Sequence, residues 1–161
     1  GSSNNIDSEQ RKKGYISALE QNYKDAESDI IEGDFSEKSG YEAGKNIIAR
    51  KVLPDAVFAL NDTMAIGCLS AFYEHGVSVP QDIALSGFDD IPISRLIKPS
   101  LSTVHVPIAE MGSKSLEILV GQLKKEKSVS NVTAIKFPPS LIIRESSRRN
   151  KKINNPSVDK C

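Results

Sequence analysis

The sequence contains no tryptophan and only two cysteines, two histidines and two methionines among 161 residues. Several chemistries fall away with them. Cys68 sits inside an apolar stretch and Cys161 is the last residue, so they form neither a disulfide framework nor a paired zinc-ligand spacing. Two ordinary thiols of this kind fit a reducing, cytoplasmic setting. His75 and His105 have no clear cysteine or serine partner and lie in no metal-ligand spacing, so neither a metal nor a nucleophilic centre is expected. No apolar run approaches the roughly 18 residues of a membrane span, and the polar start GSSNNIDSEQ is unlike a signal peptide. Net charge is missing as well. Twenty-one basic residues balance 21 acidic ones, so no overall field draws the chain to nucleic acid or to a membrane.

What is present is a rhythm of helices and short apolar strands. Tyr15, Ile16, Ala18 and Leu19 recur at helical spacing over 8–22, with Asp7 or Ser8 able to cap the start. A short strand is expected at Ile30 and Ile31, ending at Gly33-Asp34-Phe35. Ser36 then caps a helix running to about residue 50. Pro54 interrupts the chain before Ala56-Val57-Phe58-Ala59-Leu60, which reads as a strand buried on both faces. Asn61-Asp62 opens a third helix carrying Met64, Ile66, Leu69 and Phe72, and it stops near His75-Gly76. The next strand holds Ile83-Ala84-Leu85 and leads into Gly87-Phe88-Asp89-Asp90. Strands thus begin about 26 residues apart with a helix between each pair, the spacing of crossovers in a parallel sheet.

After Asp90 the rhythm changes. IPISRLIKPS reads as a loop or short helical turn, and LSTVHV as an extended segment. A clear amphipathic helix spans 108–124, with Ile108, Met111, Leu116, Leu119, Val120 and Leu123 on one stripe. Extended pieces are expected at 133–137 and 141–143, and a disordered polar tail at 150–161.

In an open α/β sheet, ligands bind beyond the carboxyl ends of the strands. Those ends carry Asp34-Phe35, Asn61-Asp62 and Asp89-Asp90, joined by Arg11 if the first helix starts on the same edge. Carboxylates, an amide and a guanidinium suit the hydroxyls of a sugar-like or nucleoside-like molecule, and an aromatic ring suits its apolar face. Simpler roles exist for each: Asp62 as a helix cap, Asp34 as a turn residue, Phe35 as core, Arg11 as a solvated charge. Paired acids also occur in Mg²⁺-dependent phosphotransfer, but no phosphate-binding glycine loop or catalytic lysine motif accompanies Asp89 and Asp90. A binding module is therefore expected, not an enzyme, and without a cofactor.

Seven motifs occur in order: R-K-K-G-Y-I-S-A-L at 11–19, G-D-F-S-x-x-S-G-Y at 33–41, P-D-A-V-F-A-L-N-D-T-M-A-I-G at 54–67, D-I-A-L-S-G-F-D-D-I-P at 82–92, P-S-L-S-T-V at 99–104, M-G at 111–112 and P-P-S-L-I-I-R-E-S at 138–146. The series resembles the LacI/GalR transcription regulators and covers the chain to about Arg149. The resemblance implies an α/β fold of periplasmic-binding-protein type, a parallel sheet flanked by helices in three layers, with a second lobe incomplete. Residues 1–106 would form the C-terminal lobe, 107–137 a segment of the N-terminal lobe, and 138–149 a return strand.

The resemblance also assigns ligand-binding roles to Arg11, Phe35, Asn61 and Asp89, with Asp7 a weaker candidate. The effector would be a sugar, sugar phosphate or nucleobase. A homodimer interface would involve Met64 and Cys68 of the third helix and Ile93, Leu96 and Ile97. The helix-turn-helix of such regulators is not among these residues, so operator DNA would be bound only through that separate N-terminal domain. The 108–124 stripe would lack its usual cover and pack against another copy, or leave its lobe incompletely folded. Ile108 stands where relatives can carry an aromatic over the ligand. A periplasmic sugar-binding protein of an ABC transporter is the alternative on the same fold.

Overall fold

The computed structural model describes residues 5–23, 28–124 and 134–149. Four helices and four strands follow one another as α1 (Ile6–Asn22), α2 (Glu37–Ile48), β1 (Ala56–Phe58), α3 (Asp62–Glu74), β2 (Ala84–Asp89), β3 (Ser102–His105), α4 (Ile108–Leu123) and β4 (Ser140–Ile142). Short 3₁₀ turns occupy Pro92–Arg95 and Glu145–Ser147. The sheet order is β1-β2-β3-β4. β1, β2 and β3 run parallel, while β4 is antiparallel to β3. The sheet is thus mainly parallel, as expected, with one antiparallel strand at its edge. The stretch after Asp90 returns to the sheet without a crossover helix, and the chain then comes back along β3 from the opposite direction.

Helix starts follow side-chain chemistry. Asn5 caps α1 by accepting from the Ser8 N–H (3.0 Å), so neither Asp7 nor Ser8 is the cap. Ser36 caps α2 through the Ser39 N–H (3.1 Å), and Asn61 caps α3 through the Met64 N–H (2.9 Å). Each supplies an acceptor to one of the four N–H groups that a helix start leaves without a partner.

The core gathers Ile47, Ala65, Cys68, Phe72, Ile83, Leu85 and Leu101 between α2, α3 and the sheet. α2 and α3 approach closely enough that a Cβ on Gly67 would stand 2.0 Å from the Glu37 carbonyl oxygen, and one on Gly40 2.1 Å from that of Met64. Only glycine permits that contact at either place.

The carboxyl-terminal segment is fastened by polar bonds. Buried Ser146 donates to the Leu85 carbonyl (2.6 Å) and accepts from the Ser102 N–H (2.8 Å). Arg149 donates to the carbonyl oxygens of Pro80 (3.0 Å) and Asp55 (2.6 Å).

Three expectations differ from the structure. Ile30 and Ile31 are extended but join no ladder among the described residues. β1 is not buried on both faces: Ala56 is exposed, and Val57 and Phe58 are half-buried. Both differences share a cause, because a cavity of about 600 Å³ lies between 29–33 and 56–60. Residues 134–137 carry no strand either, and Thr133 and the tail 150–161 lie outside the described residues.

Candidate functional site

The carboxyl ends of β1 and β2 meet the start of α1 and the turn before α2. Arg11, one and a half turns into α1, lays its guanidinium over the Phe88 ring, 3.9 Å from the centroid. From there Nη2 reaches Asp89 Oδ1 at 3.4 Å, while Nη1 donates to the Leu60 carbonyl. The stack fixes the plane of the guanidinium, so its remaining donors point in set directions. Side chains of both partners stay partly accessible, at 19% for Arg11 and 29% for Asp89. An incoming ligand can therefore reach them.

Asp89 is held in an unusual electrostatic position. Burial raises its pKa above the ordinary carboxylate value, the nearby Asp62 and Asp7 push the same way, and Arg11 opposes them. Its backbone is strained too, with φ at 103°. Asp90 (53°) and Phe35 (69°) share the left-handed region on the same rim. Non-glycine residues adopt such angles rarely, and such strain concentrates at binding and switch sites. Asp34, beside Phe35, has its pKa lowered to about 2 by hydrogen bonds from Ser36 and Ser39.

The sequence-derived candidates separate into groups. Arg11 and Asp89 are in contact, and exposed Asp7 lies near enough to influence Asp89. Half-buried Phe35 joins the same rim through Asn61, whose Nδ2 donates to the Phe35 carbonyl at 3.0 Å. Asn61 therefore uses both ends of its amide inside the chain, one on the α3 cap and one on the Phe35 turn.

Asp62 is not the cap; it turns inward. Completely buried, it accepts from Thr103 Oγ1 (2.5 Å), Ser94 Oγ (2.6 Å) and the Ile91 N–H (3.0 Å). A Cβ on Gly87 would stand 2.2 Å from Asp62 Oδ1, which explains the glycine ahead of Phe88. Asp90 is likewise structural, held by Arg144 (2.7 Å) and His105 Nδ1 (3.0 Å). Phe88, Arg144 and His105 were not among the sequence candidates. Phe88 and Arg144 do lie inside the quoted motifs, at G-F-D-D and S-L-I-I-R-E-S. Among the described residues no cluster of His, Cys, Asp and Glu has the geometry to hold a metal ion.

Of the residues expected at a dimer interface, Met64 and Cys68 are buried within their own chain, at 6% and 2% exposure. They pack toward α2 and the sheet, so little of either side chain reaches the surface. Burial pushes the Cys68 thiol pKa up to about 12. Ile93 and Leu96 are exposed, while Ile97 packs partly on the core.

The rim closes the strand ends of a mainly parallel sheet, and the chain belongs to the family of periplasmic binding protein-like domains, matching it over residues 1–147. Within that family it matches the effector-binding domains of LacI/GalR-type transcription regulators. It is 38% identical over 142 residues to the HTH-type transcriptional repressor PurR of Actinobacillus pleuropneumoniae serotype 3 (strain JL03), covering 88% of this chain and 42% of that protein. The transcriptional repressor ascG of Escherichia coli superposes with a TM-score of 0.81 at 34% identity, over 91% of this chain and 52% of that one. A LacI-family regulator from Enterococcus faecium, solved with bound ribose, superposes at 0.77 with 29% identity, over 88% and 52%. The chain thus spans less than half the length of the curated relatives it matches.

Proposed function

We propose that the chain senses a small polar effector at the Arg11–Asp89 rim and transmits its presence to a DNA-binding domain elsewhere in the regulator. One observation carries this reading. A partly accessible ion pair, stacked on Phe88 and strained in its own backbone at Asp89, lies beside strained Phe35 where the sheet's strands end. Such a rim offers donors on one side and an acceptor on the other to the hydroxyls or ring nitrogens of a sugar, sugar phosphate or nucleobase.

By this reading residues 1–106 form one lobe, α4 lies in a segment of the other (107–137), and 138–149 returns to the first. The exposed α4 stripe supports that division, since a helix with such a face has a partner outside the first lobe. Closure of the two lobes on the effector would shift the population of DNA-binding states, with Ile93 and Leu96 at the homodimer contact. We place the protein in the cytoplasm on the same grounds, and the regulators it matches favour this role over solute transport or catalysis.

A thermal-shift screen of the full-length protein against monosaccharides, sugar phosphates and purines tests the proposal, with Asp89→Ala as the control. At a hundredfold excess over Kd an effector stabilises the native state by about 2.7 kcal/mol. A hit that Asp89→Ala abolishes is the expected result. A hit that Asp89→Ala leaves unchanged would move the site away from this rim.

A further inference from the structure

Asp90 directly follows Asp89, and its carboxylate binds two other strands at once. Oδ1 accepts from Arg144 Nη2 at 2.7 Å, and Oδ2 lies 3.0 Å from His105 Nδ1. His105 is the last residue of β3, the strand that leads into α4, and Arg144 stands just beyond β4, the strand that follows α4. Both ends of the α4 segment therefore close on one side chain. The Asp90 N–H adds a third bond, to Thr103 Oγ1 at 3.3 Å, and that hydroxyl donates in turn to buried Asp62.

Fastening the return strand does not require Asp90. Arg144 already holds β3 through its own N–H on Ser102 Oγ (2.7 Å) and Nη1 on the Leu101 carbonyl (2.8 Å). Its remaining bond goes to the turn that carries the rim. That turn is strained at two successive residues, with φ at 103° for Asp89 and 53° for Asp90. Such backbone keeps its shape only where its surroundings fix it. The Phe88 ring under Arg11 and the Asp89 carboxylate beside it belong to the same turn, and Asp89 pairs with His105 across the sheet.

We infer that Asp90 is a positioning residue for the effector rim: anchored by Arg144 and His105, it holds Phe88 and Asp89 in place against Arg11 and ties them to both ends of the α4 segment. The inference rests on the rim reading proposed above and adds a route between the rim and the second lobe. A shift of the α4 segment pulls on Asp90 and so changes the Arg11–Asp89 geometry. By reciprocity, a ligand that fixes the pair restrains the segment. Arg144 donates to Leu101, Ser102 and Asp90, so its route to Arg11 runs through Asp90.

The test reads the full chain by NMR in Arg144→Ala, Asp90→Ala and Asp90→Asn. The Arg11 Nε–H resonance reports the stack on Phe88, and Phe88→Leu supplies the position it takes without a ring beneath it. Hydrogen exchange is read at Asp90 and at Ile108, whose N–H donates to the Val106 carbonyl in the link to α4 (2.8 Å), with Ala65 and Cys68 of α3 as the gauge of global opening. In Arg144→Ala the Arg11 resonance should move toward its Phe88→Leu position. Asp90 and Ile108 should exchange about tenfold faster or more, with Ala65 and Cys68 unchanged. Asp90→Ala should reproduce this pattern. Asp90→Asn should keep the wild-type spectrum, because its amide still accepts from Arg144 and donates to His105 Nδ1. An unmoved Arg11 resonance in Arg144→Ala overturns the inference and leaves Arg144 a fastener of β4. Exchange that quickens equally in α3 overturns it too, since the variant then loosens the whole lobe. No effector enters these spectra, so an effector hit that Asp89→Ala leaves unchanged would retire the rim as its site without altering the measured link from Arg144 to Arg11.

Discussion

α3 and α4 have similar lengths, 13 and 16 residues, and both are rich in apolar side chains, yet their surroundings are opposite. α3 begins at a side-chain cap, anchors a buried carboxyl in its first turn and sinks Ala65, Cys68 and Phe72 into the core. α4 begins at Pro107 with no side-chain cap, and Ile108, Leu116, Leu119 and Leu123 are all more than half exposed. The local pattern makes both segments helical, because 3.6-residue periodicity and the absence of interior proline suffice for that. Which surface receives the apolar stripe is a non-local matter. For α3 the receiving surface is α2 and the sheet; for α4 it is not among the described residues.

The largest effect that separates the two helices is a cavity. Phe72→Ala empties a fully buried site and is expected to destabilise the chain by about 3–5 kcal/mol. Leu119→Ala, on the exposed stripe, is expected to stay within about 0.5 kcal/mol. Urea denaturation of both variants at several protein concentrations measures the contrast. A cost for Leu119→Ala that approaches that of Phe72→Ala and grows with concentration would show the α4 stripe covered by another copy, and the contrast would collapse.

A somewhat smaller effect belongs to the first turn of α3. Asp62→Ala deprives Thr103, Ser94 and the Ile91 N–H of their acceptor together, and a cost of about 3 kcal/mol follows from leaving buried donors without partners. Ser94→Ala in that background should restore part of it, because one orphaned hydroxyl is removed. A double-mutant cycle showing simple additivity would mean that the three bonds do not act as one anchor.

These residues also mark how far the sequence could be read. The positions of α2, α3 and α4 and the strand ends at Asn61 and Asp89 were visible, because periodicity, caps and strand spacing are local signals, whereas the Arg11–Asp89 contact depends on where α1 lies against the sheet. Adjacent Asn61 and Asp62 exchange the expected capping role: Asp62 reads as the cap in the sequence, and Asn61 is the cap in the structure. Either can cap a helix, and only the packing of β2, β3 and the 92–95 turn around α3 decides that Asn61 caps while Asp62 is buried. The burial of Met64 and Cys68 depends in the same way on the glycine contact between α2 and α3. Ile30 and Ile31 have strand-forming side chains, yet a strand exists only where a neighbour completes its ladder. The left-handed angles of Phe35, Asp89 and Asp90 leave no trace in composition at all, since glycine would be the ordinary residue there.

The smallest effect concerns the start of α2, the helix that covers α3 and has no counterpart over α4 among the described residues. Asp34 accepts from the Ser36 hydroxyl and, at 3.0 Å, from the Ser36 N–H, and these bonds together with the nearby Ser39 hydroxyl lower its pKa to about 2. A carboxyl whose folded pKa lies below its unfolded value of 3.8 favours the folded state above that value, and the contribution fades as pH falls toward about 2. Stability of the wild-type chain should therefore drop more steeply between pH 4 and pH 2 than that of Asp34→Asn, which has no charge to lose. The difference should be slight, because Asp34 is exposed and solvent screens it. Amide exchange in α4 should be the same in both proteins across this window, whereas α2 and α3 should loosen together in the wild type. An Asp34 carboxyl that titrates near 3.8 by NMR would remove the turn from the forces that keep α2 on α3, and the burial of α3 would rest on apolar packing and Asp62 alone.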